Sequence, residues 1–210
     1  MEKQRLKKAG LQVDSMMELR KALKRHYQWL RKYGYNDSHS GNISARDGDS
    51  FWVTPTGACA DTLKAADFIS CPVVGLLAHG ASGDANLHQA VYKANSKAMA
   101  VVHSHCPHAV ALTLNGEDFS PSDFEGQLYF PTVPVISVPY EVYFEWAAEH
   151  VVEALKDSPI CIVRGHGVYA WGETLNLAYK WSCSLELSAK TAFIAGQAGT
   201  LSDNATKPSN

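Results

Sequence analysis

The sequence predicts an α/β fold, one mixed sheet with helices on its faces. Three observations predict it. Apolar, strand-like runs alternate with segments of helical periodicity. Several connections are too short for the crossovers that parallel strands need, so part of the pairing must be antiparallel. The 210 residues, 46% apolar and 19% charged, suit one globular domain with a substantial core.

Each element follows from the chain in order. Residues 1–13 are a polar lead-in. Asp14-Ser15 can cap a helix that carries Met16, Leu19, Leu23, Tyr27 and Leu30 at helical spacing and stops at Gly34. A polar loop runs from Asn36 to Asn42. ISAR, the turn residues DGDS and FWVTPT read as a short hairpin. Residues 61–68 suit a short helix. A second helix starts near Asp84 and turns Leu87, Val91 and Ala94 inward. AMAVVHSH is a buried strand ended by Cys106-Pro107, and a loop rich in Pro, Asp and Ser leads to the strand TVPVISV. EVYFEWAAEHVVEAL is a helix with Val142, Trp146 and Val152 near one face. PICIVRGHGVYAW is a strand pair or a strand bent at glycine. A long helix covers residues 173–196, the domain is expected over 14–197, and residues 198–210 are an expected disordered tail.

The formal net charge is -2, and no basic stripe or block points to nucleic acid or to a membrane surface. No apolar run reaches the length of a membrane span. The start MEKQRLKKAGLQ lacks the apolar stretch of a signal peptide. The five cysteines, Cys59, Cys71, Cys106, Cys161 and Cys183, are odd in number and scattered. They read as reduced thiols in a cytoplasmic protein.

The stretch VVHSHCPH, residues 101–108, places three histidines and a cysteine within six positions. In a strand, residues i and i+2 share a face, so His103 and His105 offer two imidazoles side by side. Catalytic zinc usually takes three protein ligands and keeps one position open. His166, flanked by glycines in RGHGVYAWG, is the third candidate. His108 lies past Pro107 and is expected at a pocket rim or on the surface. Cys106 would point away from the His103 and His105 face. His26, His79, His150, His39 and His88 read as structural, although His39 sits in a polar loop able to line a site.

Three loops pair a hydroxyl or amide side chain with glycine: Ser40 to Asn42, Thr56-Gly57, and Ser82 to Asp84. Such loops can aim N–H groups at an oxyanion, and the third can open a helix. Ordinary turns and a helix cap would look the same. The glycine spacings of Walker and Rossmann loops are absent.

The ordered set SGNIS, VTPTG, a short acidic motif before LHQAVY, AVVHSH and RGHGVYAWG resembles the class II aldolase/adducin family over residues 16–196. The resemblance implies a single three-layer α/β/α domain around a mixed, largely antiparallel sheet. It implies a homotetramer with active sites at subunit interfaces. It places metal ligands at His103, His105 and His166, with one Zn2+ per chain or another divalent transition metal. It places phosphate binding at Gly41, Asn42, Thr56, Gly57, Ser82 and Gly83, and a catalytic acid/base at Asp84. A tyrosine from a neighbouring subunit serves as an acid in the family, and Tyr129, Tyr140 and Tyr143 lie in the corresponding region.

Two departures bear on the reaction. Ser82-Gly83-Asp84 stands where the family commonly has Ser-Ser-Glu. Gly83 keeps a backbone N–H but lacks a hydroxyl, and Asp84 is one methylene shorter, roughly 1.5 Å of reach. The reaction the resemblance implies is zinc-dependent aldehyde-lyase chemistry on a small sugar phosphate or related hydroxy-ketone. It would be retro-aldol cleavage through a metal-stabilised ene-diolate. A dehydratase or decarboxylase using the same enolate logic is the alternative. A non-catalytic binding module, as in adducin, is a third reading, and the three histidines with a carboxylate argue against it.

Overall fold

The computed structural model describes residues 2–201, with side chains from residue 15 onward. Its first helix, α1 (Glu2–Lys32), begins well before Asp14-Ser15. The polar stretch ahead of that pair is rich in Lys, Gln and Leu, which are strong helix formers. Propensity rather than apolar periodicity extends the helix. Leu23, Tyr27 and Leu30 are buried as their spacing predicts. The expected disordered tail lies largely in residues 202–210, outside the described residues.

The hairpin β1 (Asn42–Asp47) and β2 (Ser50–Val53) forms as expected, turning at Gly48 with φ 62°. Only a 3-10 turn at Ala65–Asp67 marks the short helix expected at 61–68. After β3 (Ile69–Pro72), helix α2 (Ala85–Ala94) buries Leu87 and Val91 but leaves Ala94 exposed. Strand β4 (Ala100–Ser104) is buried throughout.

Two short helices, α3 (Pro107–Leu112) and α4 (Phe124–Tyr129), occupy the segment expected to be a loop. Pro107 stands in the first turn of α3, where proline is well accommodated. The Asp123 carboxylate caps α4 by accepting the Gly126 N–H at 2.9 Å. Strand β5 (Val135–Ile136) has two residues. Helix α5 (Tyr143–Ala154) buries Tyr143, Ala147 and Val151, while Trp146 is exposed. Val142 belongs to a preceding 3-10 turn, and each buried position is displaced by one residue from the expected one. A strand pair, β6 (Ile160–Val163) and β7 (Gly167–Gly172), leads into α6 (Leu175–Ala198).

The seven strands form one sheet in the order β3-β2-β1-β4-β7-β6-β5. Every neighbouring pair is antiparallel except β5 and β6, so the sheet is mixed and largely antiparallel. Alternation along the strands sorts side chains onto two faces. Ala100 and Val102 of β4 pack with α1 and α6, while Val101 packs with residues of α2 and α5. The result is a three-layer α/β/α arrangement. No helix among the described residues is long and apolar enough to cross a membrane.

Candidate active site

The register of β4 sets the site. His103 lies opposite Asn42 on β1 and Tyr169 on β7. Strand pairing stops at Ser104, but the His105 N–H is held by the Tyr35 carbonyl and by Oδ1 of Asn36, each at 2.9 Å. The two imidazoles therefore stay on one side, with ring centroids 5.0 Å apart.

His166 sits in the turn between β6 and β7, its N–H bonded to the Val163 carbonyl at 3.0 Å. Gly165, with φ 71°, supplies the left-handed step of that turn. Gly167 is required for a different reason. A Cβ there would lie 2.5 Å from the Ser104 carbonyl oxygen and 2.9 Å from Cε1 of His103. Glycine lets β7 pass close enough to bring the His166 ring within 4.8 Å of His103 and 5.4 Å of His105.

The ligand atoms of His103, His105 and His166 all lie within 4.8 Å of one another. Burial lowers all three imidazoles below their ordinary range, which keeps them neutral and able to ligate. Nδ1 of His103 donates to the Val168 carbonyl at 3.0 Å, which leaves Nε2 as the free lone pair. The donor set fits a divalent transition metal ion.

Asp84 stands at the N-cap position of α2, yet its side chain makes no capping hydrogen bond. Its Oδ2 accepts instead from Nδ2 of Asn42 at 2.8 Å and from the Tyr169 hydroxyl at 2.9 Å. The same oxygen is 3.9 Å from Nε2 of His103. Burial works to raise the Asp84 carboxyl, but His103, which attracts it once that ring takes a proton in acid, and the hydrogen bonds from Asn42 and Tyr169 outweigh it. The group is held below its ordinary value and is ionised at neutral pH. Behind it, the Tyr143 hydroxyl meets that of Tyr169 at 2.5 Å.

One cavity of about 580 Å³ gathers the candidate metal ligands, the candidate acid/base and the three anion loops. His103, His105, His166 and Asp84 line it, as do Gly41, Asn42, Thr56, Gly57, Ser82 and Gly83. The anion loops differ in detail from expectation. The Thr56 N–H is spent on the Gly80 carbonyl and the Ser82 N–H on the Thr54 carbonyl. The Asn42 amide is committed to Asp84. Gly41, with φ 67°, allows a close approach, since a Cβ there would meet the His103 carbonyl oxygen at 2.7 Å. The donors left over include the hydroxyls of Thr56 and Ser82 and the N–H groups of Gly57 and Gly83. Neither N–H enters a hydrogen bond among the described residues.

Of the three tyrosines, Tyr129 packs on Trp181 away from the cavity. Tyr140 is 90% exposed at the cavity edge, and Tyr143 is buried in its wall. His39 also lines the cavity. His108 lies outside it and pairs with buried Glu186 at 2.6 Å. His88 is fully buried, its Nδ1 2.7 Å from the Ser44 hydroxyl, which also meets Tyr92. Sequence reasoning misses Tyr169. Its one visible signal is strand parity, two residues past Gly167 and on the face that packs against α2 and α5.

Comparison with known proteins agrees with this geometry. A crystal structure of L-fuculose-1-phosphate aldolase from Thermus thermophilus superposes with a TM-score of 0.81 at 32% identity, covering 91% of this chain and 98% of that one. A 3-oxo-tetronate 4-phosphate decarboxylase of Cupriavidus necator is 40% identical over 106 residues, 50% of this chain and 49% of the relative. A methylthioribulose-1-phosphate dehydratase of Acidiphilium cryptum is 32% identical over 162 residues, 70% of this chain and 76% of the relative. The Class II Aldolase and Adducin N-terminal domain matches residues 21–193. A match of that extent, on this sheet and with these three histidines in one cavity, places the chain in the class II aldolase and adducin family.

Proposed function

We propose that the protein is a zinc-dependent aldehyde-lyase that makes a retro-aldol cleavage in a small sugar phosphate or related hydroxy-ketone. The observation that carries this reading is the convergence of His103, His105, His166 and the Asp84 carboxylate on one cavity. Three neutral imidazoles suit zinc and leave a coordination position open for substrate. A zinc ion held there supplies Lewis acidity for the negative charge that develops on the substrate oxygens.

The chain's own groups do the rest. Asp84 is ionised and close to the ligands, so it takes the proton of the substrate hydroxyl as the bond breaks and returns one to carbon. The hydroxyls of Thr56 and Ser82 and the N–H groups of Gly57 and Gly83 hold the anionic end and turn binding into alignment. A homotetramer is part of the proposal. It is supported by Tyr140 and Phe144, 90% and 71% exposed beside the cavity, where a neighbouring copy would cover them.

A decarboxylase is the second reading. It is favoured by the relative so named that is 40% identical over half the chain. Loss of carbon dioxide leaves the same developing charge, and the proton that reaches carbon comes from water by way of the Asp84 carboxylate. The metal-loaded protein should be offered phosphorylated and unphosphorylated ketoses and 3-oxo acids, with aldehyde, water loss and carbon dioxide followed separately. Aldehyde from a phosphorylated ketose is the expected product. Carbon dioxide or a dehydrated product alone would replace the aldehyde-lyase reading, and no turnover of any of them would remove the enzymatic one.

A further inference from the structure

The Asp84 carboxylate lies beside His103 but is not one of the side chains whose ligand atoms converge. Its Oδ2 is 3.9 Å from Nε2 of His103. A metal–imidazole bond is about 2.0–2.1 Å, so a carboxylate this close is within a small rotation of becoming a fourth ligand. That would close the position a substrate needs.

Two donors act against that rotation. Nδ2 of Asn42 and the Tyr169 hydroxyl both bond Oδ2, at 2.8 and 2.9 Å. A carboxylate oxygen has about two lone-pair directions, so both are occupied on this atom. Oδ1 accepts no hydrogen bond among the described residues and is the oxygen left for the cavity that Asp84 lines. Since Tyr169 commits its one proton to Asp84, the short contact with Tyr143 must have Tyr143 as donor. Both tyrosine rings also brace ligands. Tyr169 lies parallel to His103 at 4.1 Å between centroids, and Tyr143 stands edge-on to His166 at 4.7 Å.

We propose that the Tyr143–Tyr169 hydroxyl pair is a positioning device which, with Asn42, holds Oδ2 of Asp84 so that the carboxylate stands beside the metal ion without ligating it. The shorter side chain of aspartate is part of the arrangement, because it lets the carboxylate reach the two donors while staying off the ion. The inference rests on Asp84 as the acid/base, but its test does not read turnover. A protein with no lyase activity would still give a decisive answer.

The test is the visible spectrum and affinity of Co2+ titrated into the metal-free full chain. With the carboxylate held off, Asp84→Asn should leave the cobalt spectrum superimposable on the parent. Tyr169→Phe keeps the ring on His103 and removes only the hydroxyl. It should alter the cobalt bands as the freed carboxylate joins the ion, and raise affinity by roughly tenfold, the scale on which outer contacts tune metal sites. Adding Asp84→Asn to Tyr169→Phe should return both to the parent. Tyr143→Phe, which removes the hydrogen bond Tyr169 accepts and so weakens its donation to Asp84, should shift the bands in the same direction and guards against poor folding of Tyr169→Phe. A changed spectrum in Asp84→Asn alone would mean the carboxylate is already a ligand and would overturn the proposal. So would hydroxyl-deleted variants that match the parent.

Discussion

Tyr169 covers His103 with its ring planes 8° from parallel while its hydroxyl reaches Asp84 at 2.9 Å. One side chain of β7 thus touches both a candidate metal ligand and the candidate acid/base. The candidate metal ligands and the candidate acid/base are mechanically joined through the strand that also carries Gly167. Disturbing β7 should therefore be felt at the metal even when every histidine is intact.

Replacing His103, His105 or His166 by Ala should abolish tight metal binding while the far-ultraviolet spectrum stays close to the parent, because a core of this size does not need a metal to form. Gly167→Ala is the sharper case. Its Cβ would collide with the Ser104 carbonyl oxygen and Cε1 of His103, so metal affinity should drop by roughly tenfold or more. Metal content after dialysis is the measurement. Full occupancy in His166→Ala would remove that residue from the site.

Asp84→Asn should lower turnover by roughly a hundredfold or more, the scale of a lost general acid/base, with thermal stability and metal content nearly intact. An amide oxygen can still accept from Asn42 and Tyr169, so the fold loses little there. Near-parent turnover would show that another group moves the proton. Asp84→Glu would push the carboxylate toward the ion, and a gain of aldolase activity in it would mean that the shorter side chain had tuned the site away from that reaction.

Thr56→Val should weaken a phosphorylated substrate by roughly tenfold, the value of a hydrogen bond to a charged group, and its unphosphorylated analogue much less. Equal weakening in competition assays would point to a carboxylate or neutral substrate. The Thr56 hydroxyl is the informative atom, because the N–H of that residue is already spent on Gly80.

Burial lowers the His88 imidazole from 6.5 to about 4. The unfolded chain takes up a proton near pH 6.5 and the folded chain not until near pH 4. Stability is therefore full above pH 6.5 and falls as pH drops through that window, by roughly 1.4 kcal/mol per pH unit from this one group. Urea unfolding of the metal-free protein from about pH 7 to about pH 5 should show the parent losing stability faster than His88→Gln, by about one proton's slope. Equal slopes would mean that His88 already carries a proton in the folded state.

The histidine pair is legible in the chain because a two-residue period fixes a strand face, and the β6–β7 hairpin because glycines bracket its turn. The Tyr169 hydroxyl bond to Asp84 is not. Its partners are 85 positions apart, and only the register that sets Tyr169 opposite His103 brings them together. The loops around Thr56 and Ser82 do meet at one cavity, but which of their N–H groups stay free depends on cross-loop pairing with Gly80 and Thr54. Helices α3 and α4 are hidden because Pro107 and Asp123 look like breakers. Each instead starts a helix, one by a preset φ and one by a cap.

The last strand to be made, β7, is inserted between β4 and β6 near the middle of the sheet. A growing chain would display the His103 and His105 pair, with one edge of β4 bare, before His166 and β7 are synthesised. At the usual roughly 5–20 residues per second the wait is several seconds. An unpaired strand edge is open to mispairing for that time. Completing the sheet and completing the trio of imidazoles are then one event, and a metal ion taken up by the trio would be a timestamp for the closing of the fold.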